Sequence, residues 1–196
     1  MSALLNMFRH RYFLCLVLGL PFGYLIIAYA QEKLFYGEVV HSSGELSVRL
    51  FMLALIVTPL SMMFPGKAFP RWLMKNRRYF GIASFAYAAL HTVVYMLKLA
   101  LWPDIARDAM LSEYWTGWIA LFIFLALAAT SNDFSVTRLK RTWKLLHRFA
   151  YLAGLMLFTH WVLVAFDRGA AIGHLMVLAG FEGYRFWRVK ILKAHG

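Results

Sequence analysis

The chain has 196 residues, of which 62% are hydrophobic and 15% charged, and its mean hydropathy is +0.62. That balance excludes an ordinary soluble domain and describes an integral membrane protein. A net charge of +12 does not point to nucleic acid, because the basic residues fall in short clusters between apolar segments, where they act as topology signals. The single cysteine, Cys15, excludes a disulfide framework and a thiolate cluster, and is expected to serve as a small buried hydrophobe.

Six apolar segments follow in chain order, at about residues 12–30, 46–64, 79–97, 114–132, 149–166 and 169–187. Each is long enough, or nearly so, for a hydrocarbon core of about 30 Å at ~1.5 Å per residue. The first follows Arg9 and Arg11 and ends in Ala28-Tyr29-Ala30, which looks like a signal-peptidase site. It outlasts a usual signal core and further spans follow, so it is expected to remain as an uncleaved helix. The second carries Arg49 near its start and Pro59 near its end, where a proline kinks a helix or marks its last turns. The third holds His91 and the fifth His160; the sixth has a short clean core before Glu182 and Arg185. The expected fold is all-α: one polytopic membrane domain over residues 1–196, a bundle of six transmembrane helices.

Lysine and arginine set the orientation. The N-terminus, residues 65–78, residues 131–148 and the tail from Glu182 together carry sixteen of the 21 basic residues, while seven of the nine acidic residues fall on the opposite side. Both termini are therefore expected in the cytoplasm, with the first, third and fifth segments running outward.

Buried polar groups are costly in lipid, so the histidines inside these segments call for a reason. His91 lies thirteen residues beyond Arg78, about 20 Å along a helix. His160 lies twelve beyond Arg148, about 18 Å on the same measure. The two segments run the same way, so the rings can meet at matching depth in the outer half of the membrane, as two axial ligands of one haem iron must. The alternative is that each only hydrogen-bonds across the bundle. His147 sits beside Lys144 and Arg148 at the cytoplasmic mouth of the fifth segment, as an interfacial histidine or as a ligand. Thirteen residues separate it from His160, which places the two rings roughly 140° apart around a regular helix. One shared cleft would require a distortion such as a π-bulge near Gly154; otherwise the two face different neighbours.

His41 and His174 are expected in exposed loops near the outer surface, and His10 and His195 at solvated termini. The cluster of Lys75, Arg77, Arg78, Arg138, Lys140, Arg141 and Lys144 suits lipid headgroups. Its sharper reading is contact with an anionic group such as haem propionates or a flavin phosphate, for which Arg77 and Arg78 are the candidates.

Three stretches carry a family likeness: His41-Ser-Ser-Gly44 leading to Leu55-Ile-Val-Thr-Pro-Leu60; Arg77-Arg-Tyr-Phe-Gly81 with Phe85-Ala-Tyr-Ala-Ala-Leu-His91 and Tyr95; and Thr130-Ser131 with Trp143-Lys-Leu-Leu-His-Arg-Phe-Ala-Tyr151 and His160-Trp161. In this order they resemble the ferric reductase-like transmembrane domain family, and within it the haem-binding membrane subunits of periplasmic methionine sulfoxide reductase systems. The resemblance implies a six-helix b-type cytochrome of the bacterial inner membrane, an electron-transfer subunit rather than the substrate-reducing catalytic one. It implies His91, His147 and His160 as haem-binding positions, with His91 and His160 as the axial ligands of haem b. NADPH oxidases and metalloreductases of the wider group usually hold a second haem, with a second histidine on the third helix. Here Arg78 and Arg77 stand thirteen and fourteen residues before His91, so a full second bis-histidine site is not expected.

The chain ends soon after its sixth segment, so the flavin and nicotinamide domains of the larger relatives are not expected within it. By the resemblance, electrons come from quinol or a cytoplasmic flavin reductase and leave to a periplasmic molybdenum-containing (molybdopterin) reductase; FMN, held by some members, and a second haem are further cofactors to consider. Two other functions fit the residues less fully: a ferric or cupric reductase using His41 and His174 at the outer surface, and a transporter relaying protons through its histidines.

Overall fold

A computed structural model describes residues 11–99, 102–108, 110–165 and 167–194. His10 and His195 lie outside the described residues. Seven helices are found among the described residues: α1 Arg11–Ala30, α2 Tyr36–Met63, α3 Ala68–Leu99, α4 Trp102–Asp108, α5 Ser112–Ala129, α6 Asp133–Val164 and α7 Arg168–Ala194. The protein is an all-helical, multi-pass membrane protein.

Among the described residues, four helices are long and apolar enough to cross a membrane: α1 over Tyr12–Ala30, α2, α3 and α5. α6 and α7 are long but mixed. The first half of α6 carries Arg138, Lys140, Arg141 and Lys144, and α7 carries Glu182, Arg185, Arg188 and Lys190. Their apolar parts, from Phe149 in α6 and to Gly180 in α7, are correspondingly short.

Several helices outrun the apolar segments that mark them. α2 starts ten residues before Leu46, α3 starts eleven before Tyr79, and the basic stretch from Asp133 is helix rather than loop. Hydropathy marks only the lipid-soluble part, whereas a helix continues wherever its backbone bonds close and charged side chains reach water. The starts of α2 and α6 are capped locally. The Glu38 carboxylate accepts the Phe35 N–H at 2.7 Å, and the Asn132 side chain accepts the Ser135 N–H at 2.8 Å. Glu32, at φ 57°, turns the chain between α1 and α2. Pro59 lies in the last turns of α2, as its position suggests.

α2 and α3 form one antiparallel pair, and α5 and α6 another; α7 packs on α2 and α6. Two apolar clusters join them. One runs through Leu14, Leu25, Leu50, Val57, Phe80 and Tyr87, with the Tyr87 hydroxyl donating to the Leu18 carbonyl at 2.8 Å. The other centres on Phe51 and Phe124, whose rings are 4.7 Å apart, with Ala153 and Phe158 of α6. α1 inserts Leu14, Leu18, Phe22 and Leu25 into the first cluster. Cys15, about 100° around the helix from Leu14, is left on its exposed face, which corrects the expectation of burial.

Candidate haem site

The antiparallel pairing of α2 with α3 and of α5 with α6 leaves a cavity of about 670 Å³ between them, within the roughly 300–1,000 Å³ of small-molecule pockets. His91 from α3 and His160 from α6 both line it, among apolar groups such as Val48, Leu121, Phe124 and Leu157. Their ring centroids are 6.3 Å apart and their planes cross at 88°. Two metal–imidazole bonds of about 2 Å each, plus the offset of each nitrogen from its ring centre, span about that distance.

Each ring is fixed at its other nitrogen. His91 Nδ1 lies 2.8 Å from the Val40 carbonyl, and His160 Nδ1 bonds the Glu113 carbonyl. A carbonyl only accepts, so Nδ1 carries the proton in both rings and Nε2 keeps the lone pair, the tautomer of a ligand oriented by its second nitrogen. Among the described residues no three His, Cys, Asp or Glu side chains converge to hold a metal ion. A donor set of two imidazoles in an apolar cavity fits a metal whose other positions come from a macrocycle.

The cavity is also lined by Tyr36, His41, Glu45, Tyr95, Tyr114 and Asp167. Tyr95 and Tyr114 stack at 5.5 Å, and the Tyr95 hydroxyl donates to Asp108 at 3.1 Å, tying the short helix α4 to the cavity lining. His41 is exposed as expected, but it stands on α2, not in a loop, 3.6 Å from Glu45, which also pairs with Arg49 at 2.9 Å. His174 is likewise helical. Its Nδ1 is 2.8 Å from the Ala170 carbonyl and its ring is 5.2 Å from Trp161.

His147 does not join this cavity. α6 is regular through Gly154; its one non-helical residue is Lys140, at φ 48°, so nothing realigns His147 with His160. The Thr130 hydroxyl donates to the Ala126 carbonyl at 2.7 Å and so accepts the His147 Nε2–H at 3.2 Å. Trp143 stacks on the His147 ring at 3.9 Å and donates from Nε1 to the Thr130 carbonyl at 2.9 Å. Arg77 and Arg78 bear electrostatically on His147 and share its end of the bundle, remote from His91 and His160. Arg78 also pairs with Asp133 at 2.8 Å.

Tyr36, Tyr114, Glu45 and Gly117 around the cavity escape a reading of the sequence by segments. Tyrosines are common at membrane interfaces, and a lone glycine in an apolar run carries no signal of what approaches it.

These features define a helical membrane protein with two facing histidines in a cofactor-sized cavity, and the ferric reductase like transmembrane component family matches residues 43–166, spanning both histidines. The chain belongs to that family. It is 34% identical over 155 residues to the protein-methionine-sulfoxide reductase heme-binding subunit MsrQ of Xanthomonas campestris pv. campestris (strain B100), over 77% of this chain and 69% of the relative. The MsrQ subunit of Cronobacter sakazakii (strain ATCC BAA-894) is 32% identical over 151 residues, 73% of each chain. No solved structure gives a significant match.

Proposed function

We propose that this chain is the haem-binding membrane subunit of a protein-methionine-sulfoxide reductase system in a bacterial inner membrane, a single domain of six transmembrane helices with both termini cytoplasmic. The observation that carries the reading is the His91–His160 pair, two tautomerically fixed imidazoles 6.3 Å apart in one apolar cavity. The names of the MsrQ relatives supply the system.

In this reading His91 and His160 would hold a haem b through their Nε2 atoms. One cysteine cannot provide the paired thioether attachment of a c-type haem, so ligation and packing hold the group. When bound, haem would supply one-electron transfer, and His91 and His160 would both be engaged in holding it. The apolar walls exclude water and set the local dielectric, and the Nδ1–H bonds strengthen both ligands. Electrons enter at the cytoplasmic end, around His147, Arg77 and Arg78, from quinol or a flavin reductase; that end is where FMN or a second haem would be held. They leave to a periplasmic, molybdopterin-bearing catalytic subunit, so sulfoxide reduction itself takes place outside this chain.

Purified His91→Ala and His160→Ala proteins test the assignment by reduced-minus-oxidised spectra, with a pyridine haemochrome assay for haem per chain. Loss of the low-spin spectrum in each variant is expected; a spectrum unchanged in both overturns it.

A further inference from the structure

The two histidines are seated in the same way on two different helices. His91 bonds the Val40 carbonyl of α2, and the residue one turn further along α2 is Gly44. His160 bonds the Glu113 carbonyl of α5, and the residue one turn further along α5 is Gly117. Both helices thus present a carbonyl at position i and a glycine at i+4. In an α-helix every Cα–Cβ bond tilts toward the N-terminus, so a side chain at i+4 stands over the carbonyl at i. A glycine at i+4 removes that obstruction and leaves the carbonyl open to an imidazole ring arriving from the side.

The space confirms the geometry. A Cβ added at Gly44 would lie 3.1 Å from His91 Nδ1 and 3.4 Å from its Cε1, and it meets nothing else within 4 Å. One added at Gly117 would lie 2.9 Å from His160 Nδ1, closer than real Cβ atoms come, and 3.0 Å from Cε1. At both positions the nearest groups belong to the histidine ring and none to a neighbouring backbone, so these glycines make room for imidazole and not for close helix packing.

We infer that Gly44 and Gly117 are positioning residues for the two histidines, acting through the ring seat and not through contact with the cofactor. Resting on the haem reading above, this assigns to each glycine the control of one ligand: ring angle, Nδ1–H bond and the height of Nε2 in the cavity. The two seats are unequal. Gly117 has no slack, whereas at Gly44 the ring must give by a few tenths of an ångström.

The test is made on full-length protein in detergent, comparing Gly44→Ala and Gly117→Ala with Gly81→Ala and Gly173→Ala, whose added Cβ atoms meet nothing within 4 Å. Haem per chain, the low-temperature electron paramagnetic resonance of the oxidised protein and the midpoint potential are measured on each. Gly117→Ala is expected to lose haem affinity by about 10- to 100-fold, as when other groups orienting a metal ligand are disturbed. Gly44→Ala is expected to keep haem with a shifted low-spin signal and potential, while both controls match the parent. If Gly117→Ala does not accumulate as folded protein, Gly44→Ala decides the matter. Gly44→Ala and Gly117→Ala proteins that match the controls in all three measurements overturn the inference while the parent still binds haem. A parent protein without haem overturns the underlying reading instead.

Discussion

Ser47 of α2 and Ser84 of α3 exchange hydrogen bonds, each hydroxyl donating to the other's backbone carbonyl at 2.9 Å in a fully buried contact. Val40 and His91 lie seven residues away on the same two helices, about 10 Å further along the pair. The antiparallel register that aligns the serines therefore also brings the Val40 carbonyl to His91. The second pair follows the same logic: Trp143 on Thr130, the C-cap of α5, and His160 on Glu113 are seventeen residues apart along α5 and along α6.

The serine contact gives a graded expectation. Ser47→Ala and Ser84→Ala each remove one interhelical bond, worth about 0.6 kcal/mol on average in membranes. Ser47→Leu forces a branched side chain into a site only 2% exposed and shifts the register itself. Unfolding in mixed micelles and haem per chain are expected to show small losses for the alanine variants and a large loss of both for Ser47→Leu. Equal effects would show that the serines do not set the register.

The crossed histidine planes predict a spectroscopic signature. If His91 and His160 hold a haem as proposed, an interplanar angle of 88° would direct the two imidazoles at perpendicular iron orbitals and leave those orbitals nearly degenerate. The oxidised protein is expected to give a strongly anisotropic low-spin ferric signal with one large g value. The rhombic signal of parallel imidazoles would contradict the ring geometry.

His147 is engaged by Thr130 and Trp143 and does not line the cavity of His91 and His160. His147→Ala is expected to retain the signal of that pair unchanged while altering electron entry from a quinol analogue or reduced flavin. A His147→Ala protein that loses the low-spin signal entirely would place this histidine at the same iron.

Six spans and four spans differ in where the α6–α7 junction lies. Single cysteines at Lys67, Asp104, Arg138 and Arg168, in a Cys15→Ser background, are treated in intact cells with a maleimide that cannot cross the inner membrane. Labelling is expected at 104 and 168 only. Protection at 168 would show that α6 and α7 do not cross.

The Arg78–Asp133 pair is close, at 2.8 Å, yet the Asp133 side chain is 90% exposed. Such pairs contribute roughly 0–1 kcal/mol and weaken with salt. Asp133→Asn is expected to leave thermal unfolding in detergent within that range; a larger loss would assign Arg78 a structural role.

Much of this molecule is written in its local sequence. Apolar runs bounded by charges mark the lipid-soluble helices, because the cost of exposing backbone and charge to hydrocarbon depends on composition alone. The same one-dimensional reasoning places His91 and His160 at one depth, since rise per residue is fixed. It sees less well where helices leave the lipid, as in α2 before Leu46 and α6 before Phe149, because charged helix and charged loop have similar composition.

Tertiary structure alone decided which faces met. Depth could not say that His91 would find Val40 and His160 Glu113, that His147 would turn to Thr130 and Trp143, or that Gly44 and Gly117 would seat the two rings. Those outcomes depend on the rotation and register of each helix against its neighbour. Many residues distant in sequence fix these together through packing and hydrogen bonds, and no local pattern carries them.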